Sequence, residues 1–179
     1  MKDHSTAKGT PSRTDDPTME GEEDEHGVEL FVAHFDASHR ALAVHEAGHA
    51  VVARALGAQV VFVEIDLMTG NGRSHSQNFV EQVNNLAVCV AGCRAEHAFD
   101  ARSSRRTKIS DFRKMRRLLS DLPGADRRAA RAEGYRLADA MLRQHAAKAH
   151  RLADELMARR WGFFRSATNE NTIFPITST

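Results

Sequence analysis

Two histidines and a glutamate within one short segment have the types and spacing best suited to chemistry. They form His45-Glu46-Ala47-Gly48-His49, an H-E-x-x-H pattern. On a helix, residues four apart project from the same face, so both imidazoles can bind a single Zn2+. Such a zinc ion would polarise a peptide carbonyl and activate a bound water, and Glu46 would accept the proton of that water as general base. Gly48 disfavours a helix and predicts that another segment approaches closely there.

The H-E-x-x-H pattern also occurs by chance on the solvated face of a helix, as two surface histidines and a glutamate. Here, however, the pattern interrupts an apolar stripe, with apolar residues at 43–44 before it and at 50–52 after it. Buried imidazoles and carboxylates need polar partners, and a metal ion would satisfy all three side chains. We therefore predict that His45 and His49 are zinc ligands and that Glu46 is the catalytic residue.

The segments around this pattern predict the elements that must hold it. Apolar residues at helical spacing favour a helix over about 38–56, which Gly57 would stop. The β-branched segment 60–65 predicts a strand, a turn is expected at 69–72, and residues 74–76 are expected to return as an edge strand. The zinc-binding helix should therefore be followed by a small β-hairpin or sheet.

The later part of the chain is predicted to be helical, so the expected fold class is mainly α. Periodicity favours a long helix over 79–99, a charged loop over 100–108, a helix capped by Thr107 or Ser110, and one or two helices over 125–162. The apolar side chains expected to face the core from these last helices are Ile109, Phe112, Met115, Leu118, Leu119, Leu137, Met141, Leu142, Leu152, Leu156 and Trp161.

Composition predicts one globular domain with tails. Hydrophobic residues make up 41% of the chain and charged residues 27%, which is typical of globular proteins. Residues 1–27 are polar and rich in acidic side chains, so we expect a disordered acidic tail there. The predicted domain covers residues 28–165, and residues 166–179 form a predicted C-terminal tail.

Charge and cysteine content favour a cytoplasmic protein that binds neither nucleic acid nor membrane. The net charge is +1, and the sequence has neither a long apolar span nor a signal-peptide core. Residues 101–131 hold eleven basic and three acidic side chains, which we interpret as a solvated helical surface. A patch for an acidic partner or nucleic acid is the alternative. Cys89 and Cys93 are interpreted as small buried hydrophobes in a reducing compartment.

Three segments resemble the protease domain of the FtsH family of zinc metallopeptidases. Residues 44–52 (VHEAGHAVV) look like its zinc helix, and residues 87–96 (AVCVAGCRAE) resemble the helix that ends in an Ala-Glu segment. Residues 109–115 (ISDFRKM) resemble the later segment in which an Asn-Asp or Ser-Asp pair opens a helix. The resemblance covers roughly residues 38–160 and implies a helical FtsH-type peptidase domain with a small β element.

The resemblance also implies that Asp111 is the third zinc ligand, because it matches the family's ligating aspartate. A catalytic zinc has three protein ligands and one open position, and the first turn of a predicted helix favours an ionised carboxylate. A plain helix-capping role is the alternative for Asp111. Other candidates for the third ligand are Glu96, His97, Asp100 and His75. Of these, Glu96 better suits an acceptor that orients a ligand imidazole.

The implied activity is that of a zinc-dependent metalloendopeptidase. The family couples this domain to a AAA-type ATPase, but no lysine of this chain follows a glycine, so the G-K-[ST] of a P-loop is absent. We therefore expect ATP-independent hydrolysis of flexible or unfolded polypeptides, through a zinc-bound water with Glu46 as general base. The family's rings imply a homo-oligomer, and a separate ATPase or adaptor is a further expected partner. The alternatives are a zinc-binding, non-proteolytic FtsH-like interaction or regulatory module and a zinc hydrolase that acts on something other than peptides.

Overall fold

A computed structural model of the protein describes residues 25–103, 105–159 and 163–165. Within these residues the chain is mainly helical with one small antiparallel sheet, as predicted. In chain order the elements are α1 (Glu25–Ala55), β1 (Val60–Asp66), β2 (Asn71–Ser76), α2 (Gln82–Ala98), α3 (Arg105–Ser120), α4 (Arg127–Gln144), α5 (Ala146–Ala158) and β3 (Phe163–Arg165). None of the helices in these ranges combines the length and apolar character that a bilayer span requires.

Helix α1, which carries the H-E-x-x-H pattern, begins well before the predicted start at residue 38. Residues 28–46 contain neither proline nor glycine, so nothing in the sequence stops the helix from extending towards the N terminus. Residues 25–27, which the sequence assigned to the tail, are part of α1, whereas the rest of that tail and the predicted C-terminal tail lie outside the described residues. Gly57 adopts a φ of 95° just beyond the helix end, which confirms its role as the stop.

A three-stranded antiparallel sheet follows α1, in the order β2-β1-β3. Strands β1 and β2 form the predicted hairpin, in which Val63 pairs with Ser74. The turn between them contains Gly70 at a φ of 65°, a conformation that glycine adopts without strain. Strand β3 was not predicted, because its three residues are too few to show strand periodicity. Strand β1 is central, so β2 keeps one edge without a neighbouring strand among the described residues.

The helices after the sheet match their predictions except at their ends. Helix α2 begins later than residue 79 because the Asn85 side chain donates to the carbonyl of Phe79 at 2.8 Å and accepts from its N–H at 2.9 Å. These two bonds hold Phe79 outside the helix. Within the predicted helical segment 125–162, the described residues form two helices, α4 and α5, which are separated at His145. Trp161, predicted to join the core, lies outside the described residues.

Helix α3 departs furthest from its prediction. Thr107 and Ser110 lie inside the helix rather than at its cap, because the charged residues before them are themselves good helix formers. Met115 is buried as predicted, but Ile109 and Phe112 are 45% and 44% exposed, so their predicted inward orientation is wrong. Because α3 packs mainly on α2, only a narrow face of α3 is covered.

Helix α2 lies at the centre of the core, where it packs against α1, α3 and α4. A Cβ atom at Gly48 of α1 would lie 2.5 Å from the Cβ of Ala95 and 2.8 Å from the carbonyl oxygen of Ala91. The predicted close approach at Gly48 is thus confirmed, and it brings the H-E-x-x-H pattern against the middle of α2. The other predicted core residues are buried (Leu142, Leu152, Leu156) or packed partly against the core (Leu118, Leu119, Leu137, Met141).

Candidate metal centre

Two buried histidines of α1 form the first part of the site. His45 and His49 are 1% and 7% exposed, and their Nε2 atoms lie 3.1 Å apart. The Nδ1 of His45 lies 2.6 Å from a carboxylate oxygen of Glu96, and the Nδ1 of His49 lies 2.7 Å from the carbonyl oxygen of Val88. A carbonyl and an ionised carboxylate can only accept, so both Nδ1 atoms carry hydrogen. In a neutral ring each Nε2 then presents its lone pair to the space between the rings.

Asp111 of α3 completes a cluster of three ligand atoms. Its Oδ2 lies 2.9 Å from Nε2 of His45 and 3.1 Å from Nε2 of His49. The three predicted metal ligands therefore come together, although Asp111 is 66 positions away from His45 in sequence. One reason for the prediction was wrong. Helix α3 begins at Arg105, so Asp111 lies in its second turn, beyond the first turn where the helix dipole acts most strongly.

Three electron-pair acceptors at these distances need a cation between them. A proton can bridge only one pair of the three atoms, whereas a metal ion can bind all of them. Tetrahedral coordination at 2.0–2.1 Å separates neighbouring ligand atoms by about 3.3 Å. The observed separations of 2.9, 3.1 and 3.1 Å differ from this value by only a few tenths of an ångström. The cluster of His45, His49 and Asp111 can therefore hold a metal ion.

The pKa values of His45 and Asp111 also reflect the need for a cation in the cluster. Burial alone would lower the pKa of His45, but hydrogen bonds with Asp111 and Glu96 raise it to about 9. Burial would raise the pKa of Asp111, but hydrogen bonds with the two histidines hold it well below its usual range. A metal ion binds the deprotonated ring, so a proton and a metal ion compete for the Nε2 lone pair of His45.

Glu96 of α2 fixes His45 through a network that reaches α3. The Glu96 side chain is only 3% exposed. Besides the bond from His45, its carboxylate accepts the N–H of Ser103 at 2.9 Å, the hydroxyl of Ser103 at 2.6 Å, and the ammonium of Lys108 at 2.7 Å. Burial would raise the pKa of Glu96, but these hydrogen bonds lower it to about 2. Glu96 is therefore an ionised acceptor that sets the tautomer and orientation of His45, in the place expected for it.

The carboxylate of Glu46 lies against strand β2. Glu46 is 4% exposed and accepts a hydrogen bond from Ser74. A Cβ atom at Gly72 would lie 2.6 Å from both Cγ and Oε1 of Glu46, so only glycine leaves room for this carboxylate. Burial raises the pKa of Glu46 above its usual range, and the nearby histidines oppose that rise. A carboxyl group with a raised pKa is suited to accept a proton and return it.

Gly92 of α2 leaves the space in which the two imidazoles meet. A Cβ atom at this position would lie 2.5 Å from Nε2 of His45 and 2.5 Å from Nε2 of His49. Both distances are far below van der Waals contact. The lone pairs that could bind a metal ion therefore face a region that any residue other than glycine would occupy.

The metal centre opens into a cleft of about 340 Å³. Strand β2 forms one side through residues 72–76, and α3 forms the other side through residues that include Asp111 and Lys114. Glu46 and His49 of α1 also line the cleft. Strand β2 packs on α1, α1 on α2, and α2 on α3, so α1 and α2 lie between the two sides. The candidate metal centre is therefore reached through the cleft between β2 and α3.

Three other candidates for the third ligand, His75, His97 and Asp100, are not members of the cluster. His75 belongs to β2, where its ring stacks on Phe62 with 5.7 Å between the ring centroids. His97 is exposed on α2, and Asp100 follows the end of that helix with a φ of 50°. None of these three belongs to the group of described side chains that could hold a metal ion.

The two cysteines are free thiols near the metal centre. Cys89 is buried, as predicted, and its Sγ donates to the carbonyl of Asp111 at 3.0 Å, which ties α3 to α2. Cys93 is only partly buried, which corrects the prediction for that residue. Burial raises the pKa of Cys89 to about 12 and that of Cys93 to about 11, so both are protonated thiols of low reactivity at neutral pH.

Comparison of the chain with protein-family models, curated proteins and solved structures finds no match. The interpretation of the site therefore depends on its own geometry. That geometry includes four residues that the sequence did not identify: Gly72, Gly92, Ser103 and Lys108. A glycine inside a helix signals close approach, so Gly92 was the one member of this group with a detectable signal.

Proposed function

We propose that this chain is a zinc-dependent metalloendopeptidase of the FtsH type that hydrolyses flexible or unfolded polypeptides without ATP. The observation that carries the proposal is the convergence of His45, His49 and Asp111 on one point. The buried carboxylate of Glu46 lies beside that point and lines the same cleft. Two imidazoles and one carboxylate are a donor set typical of catalytic zinc, in which the fourth position is left for water or substrate.

Each protein group has a defined part in this reaction. His45, His49 and Asp111 would hold the zinc ion, which when bound supplies a Lewis acid that polarises the scissile carbonyl and acidifies water. Glu46 takes the proton from the attacking water and returns it to the amine that leaves. Ser74 and the backbone at Gly72 keep the Glu46 carboxylate in place.

The free edge of β2 supports a polypeptide substrate. Residues 72–76 of this strand line the cleft, and β2 has no second neighbouring strand among the described residues. An extended peptide can add to such an edge through backbone hydrogen bonds, which do not depend on its sequence. Only a flexible or unfolded chain can adopt this conformation. A homo-oligomer, or a separate ATPase or adaptor that delivers substrate, is part of the same proposal.

Metal content tests the first half of the proposal. The wild-type protein is expected to bind about one zinc ion per chain, measured by elemental analysis after zinc reconstitution and removal of free metal. The His49→Ala variant should lose that zinc. His97→Ala is the matched control, because His97 is an exposed histidine outside the cluster, and it should retain zinc. Wild-type protein that binds no zinc would refute the proposal.

Hydrolysis tests the second half. Wild-type protein loaded with zinc should cleave casein or an unfolded peptide, and Glu46→Gln should retain zinc while losing activity by a factor of about 10² to 10⁴. Cleavage that is unchanged in Glu46→Gln would come from another source and would contradict the assigned mechanism. Zinc binding without any cleavage in the wild type would favour the non-proteolytic zinc module instead.

A further inference from the structure

The cleft carries positive charge that the metal chemistry does not use. Among the described residues that line it, the acidic side chains are Glu46 and Asp111, and both belong to the metal centre. Two basic side chains also line it, Arg73 from β2 and Lys114 from α3. Bound Zn2+ would offset the two carboxylates, so the remaining charge of the cleft is set by these two cations.

Lys114 is the cation available to a ligand. Arg73 forms an ion pair with Glu64 of the neighbouring strand β1, which compensates its charge. The ion pairs among the described residues do not include Lys114. Its side chain is exposed, yet it is close enough to lower the pKa of the Cys89 thiol, which also lines the cleft.

Lys114 also lies close to the reacting position. It follows Asp111 by three positions on α3, so the two side chains project from the same face of the helix about 5–6 Å apart. An extended peptide advances by roughly 3.3 Å per residue. The Lys114 ammonium can therefore meet a substrate group within one or two residues of the bond held at the metal centre.

We infer that Lys114 selects substrates that carry a carboxylate next to the scissile bond, as the side chain of an aspartate or glutamate. This inference rests on the peptidase function proposed above. A carboxylate accepts short, charge-assisted hydrogen bonds from an ammonium group, whereas a lysine side chain at the same place would be repelled. Among the described residues that line the cleft, no carboxylate outside the metal centre is present to attract a basic side chain.

Blocked peptides with one varied residue test the inference. In an otherwise neutral, flexible peptide, a single Glu, Gln or Lys is placed in turn at each position, and mass spectrometry locates the cleaved bond. Zinc-loaded wild-type protein should cleave the Glu peptide with a kcat/KM about tenfold above that of the Gln peptide at low salt. The Lys peptide should be slowest, and added salt should reduce the difference. A neutral peptide with a free C-terminal carboxyl group distinguishes chain-end recognition from side-chain recognition.

Charge reversal assigns the preference to Lys114. The Lys114→Glu variant should favour the Lys peptide, and the milder Lys114→Gln variant should cleave the Glu and Gln peptides with similar kcat/KM. Arg116→Glu is the matched control, since Arg116 is exposed on the same helix and does not line the cleft. This control should keep the wild-type preference.

The outcomes separate the inference from the proposed function. Equal rates for the three peptides, or an unchanged preference in both Lys114 variants, would overturn the inference while leaving the peptidase intact. If no peptide is cleaved, the proposed function fails. Affinity of the zinc-loaded protein for fluorescent Glu and Lys peptides, measured by anisotropy, then still tests the carboxylate preference. A preference seen only with a free C-terminal carboxyl group would overturn side-chain recognition and assign the carboxylate to the chain end.

Discussion

Replacement of Gly92 by alanine should remove metal binding without unfolding the protein. The added Cβ would lie 2.5 Å from each Nε2 atom of His45 and His49. This is about 1 Å short of a normal contact, which begins near 3.5 Å. Zinc-ligand distances tolerate changes of only about 0.2 Å. The imidazoles can make room for the added atom only by breaking the hydrogen bonds of their Nδ1 atoms with Glu96 and Val88, which moves both Nε2 atoms out of position.

The expected loss of zinc affinity in Gly92→Ala is larger than the loss caused by changing a residue that does not itself bind the ion. Losing a group that merely orients a ligand weakens metal binding about 10–100-fold, so displacement of a ligand itself should weaken it at least about 100-fold. Helix α2 should remain stable, because alanine is favoured over glycine inside a helix by about 1 kcal/mol. Competition against a chromophoric chelator measures zinc affinity, and far-UV circular dichroism with a thermal scan measures folding.

Gly124→Ala is the control for this experiment. A Cβ atom at Gly124 would meet nothing within 4 Å, so zinc affinity and folding should both stay at the wild-type level. Wild-type zinc affinity in Gly92→Ala would refute the geometry proposed for the metal centre. Global unfolding of Gly92→Ala would refute the argument that the histidine rings, and not the packed helices, take up the overlap.

Three further results are expected. Lys108→Met should weaken zinc binding about 10–100-fold in chelator competition, because Glu96 would lose its counter-charge. Lys108→Arg should restore most of the affinity, and equal affinities in the two variants would contradict this role of Lys108. Gly72→Ala should keep wild-type zinc affinity but lose peptide hydrolysis, since its Cβ would lie 2.6 Å from the carboxylate oxygen of Glu46; loss of zinc together with activity would argue against separate roles. Because the pKa of His45 is raised to about 9, its ring is protonated below that pH. Apparent zinc affinity should therefore fall by about tenfold for each unit of decreasing pH. An affinity that does not change between pH 6 and 9 would exclude competition between the proton and the metal ion.

Local sequence patterns predicted the parts of the fold that depend on neighbouring residues. The H-E-x-x-H pattern on α1, the stop at Gly57 and the hairpin all follow from spacing or from single residues with special backbone conformations. Asp111 was expected through a family resemblance and is brought to the histidines by packing of α3 on α2.

Other features could not be predicted, because they depend on contacts between distant segments. The role of Lys108 appears only when α3 lies beside Glu96, and the role of Gly72 appears only when β2 lies against α1. The exposure of Ile109 and Phe112 was also not predictable from the sequence. Helical periodicity identifies residues that share a face, but it does not tell how much of that face another element covers.

The sequence separation of the ligands links metal binding to folding. His49 and Asp111 are 62 positions apart, and the hairpin and α2 lie between them. In an unfolded chain, closing a loop of that length costs about 3.7 kcal/mol in entropy from the logarithmic term alone. The ligands therefore meet only after α1, α2 and α3 have packed, and an ion bound to all three selects the native state. At a free zinc concentration of about 100 times Kd, this selection adds about 2.7 kcal/mol to the free energy of unfolding. Zinc supply would thus set how long the chain survives proteolysis as well as whether it can carry out its chemistry.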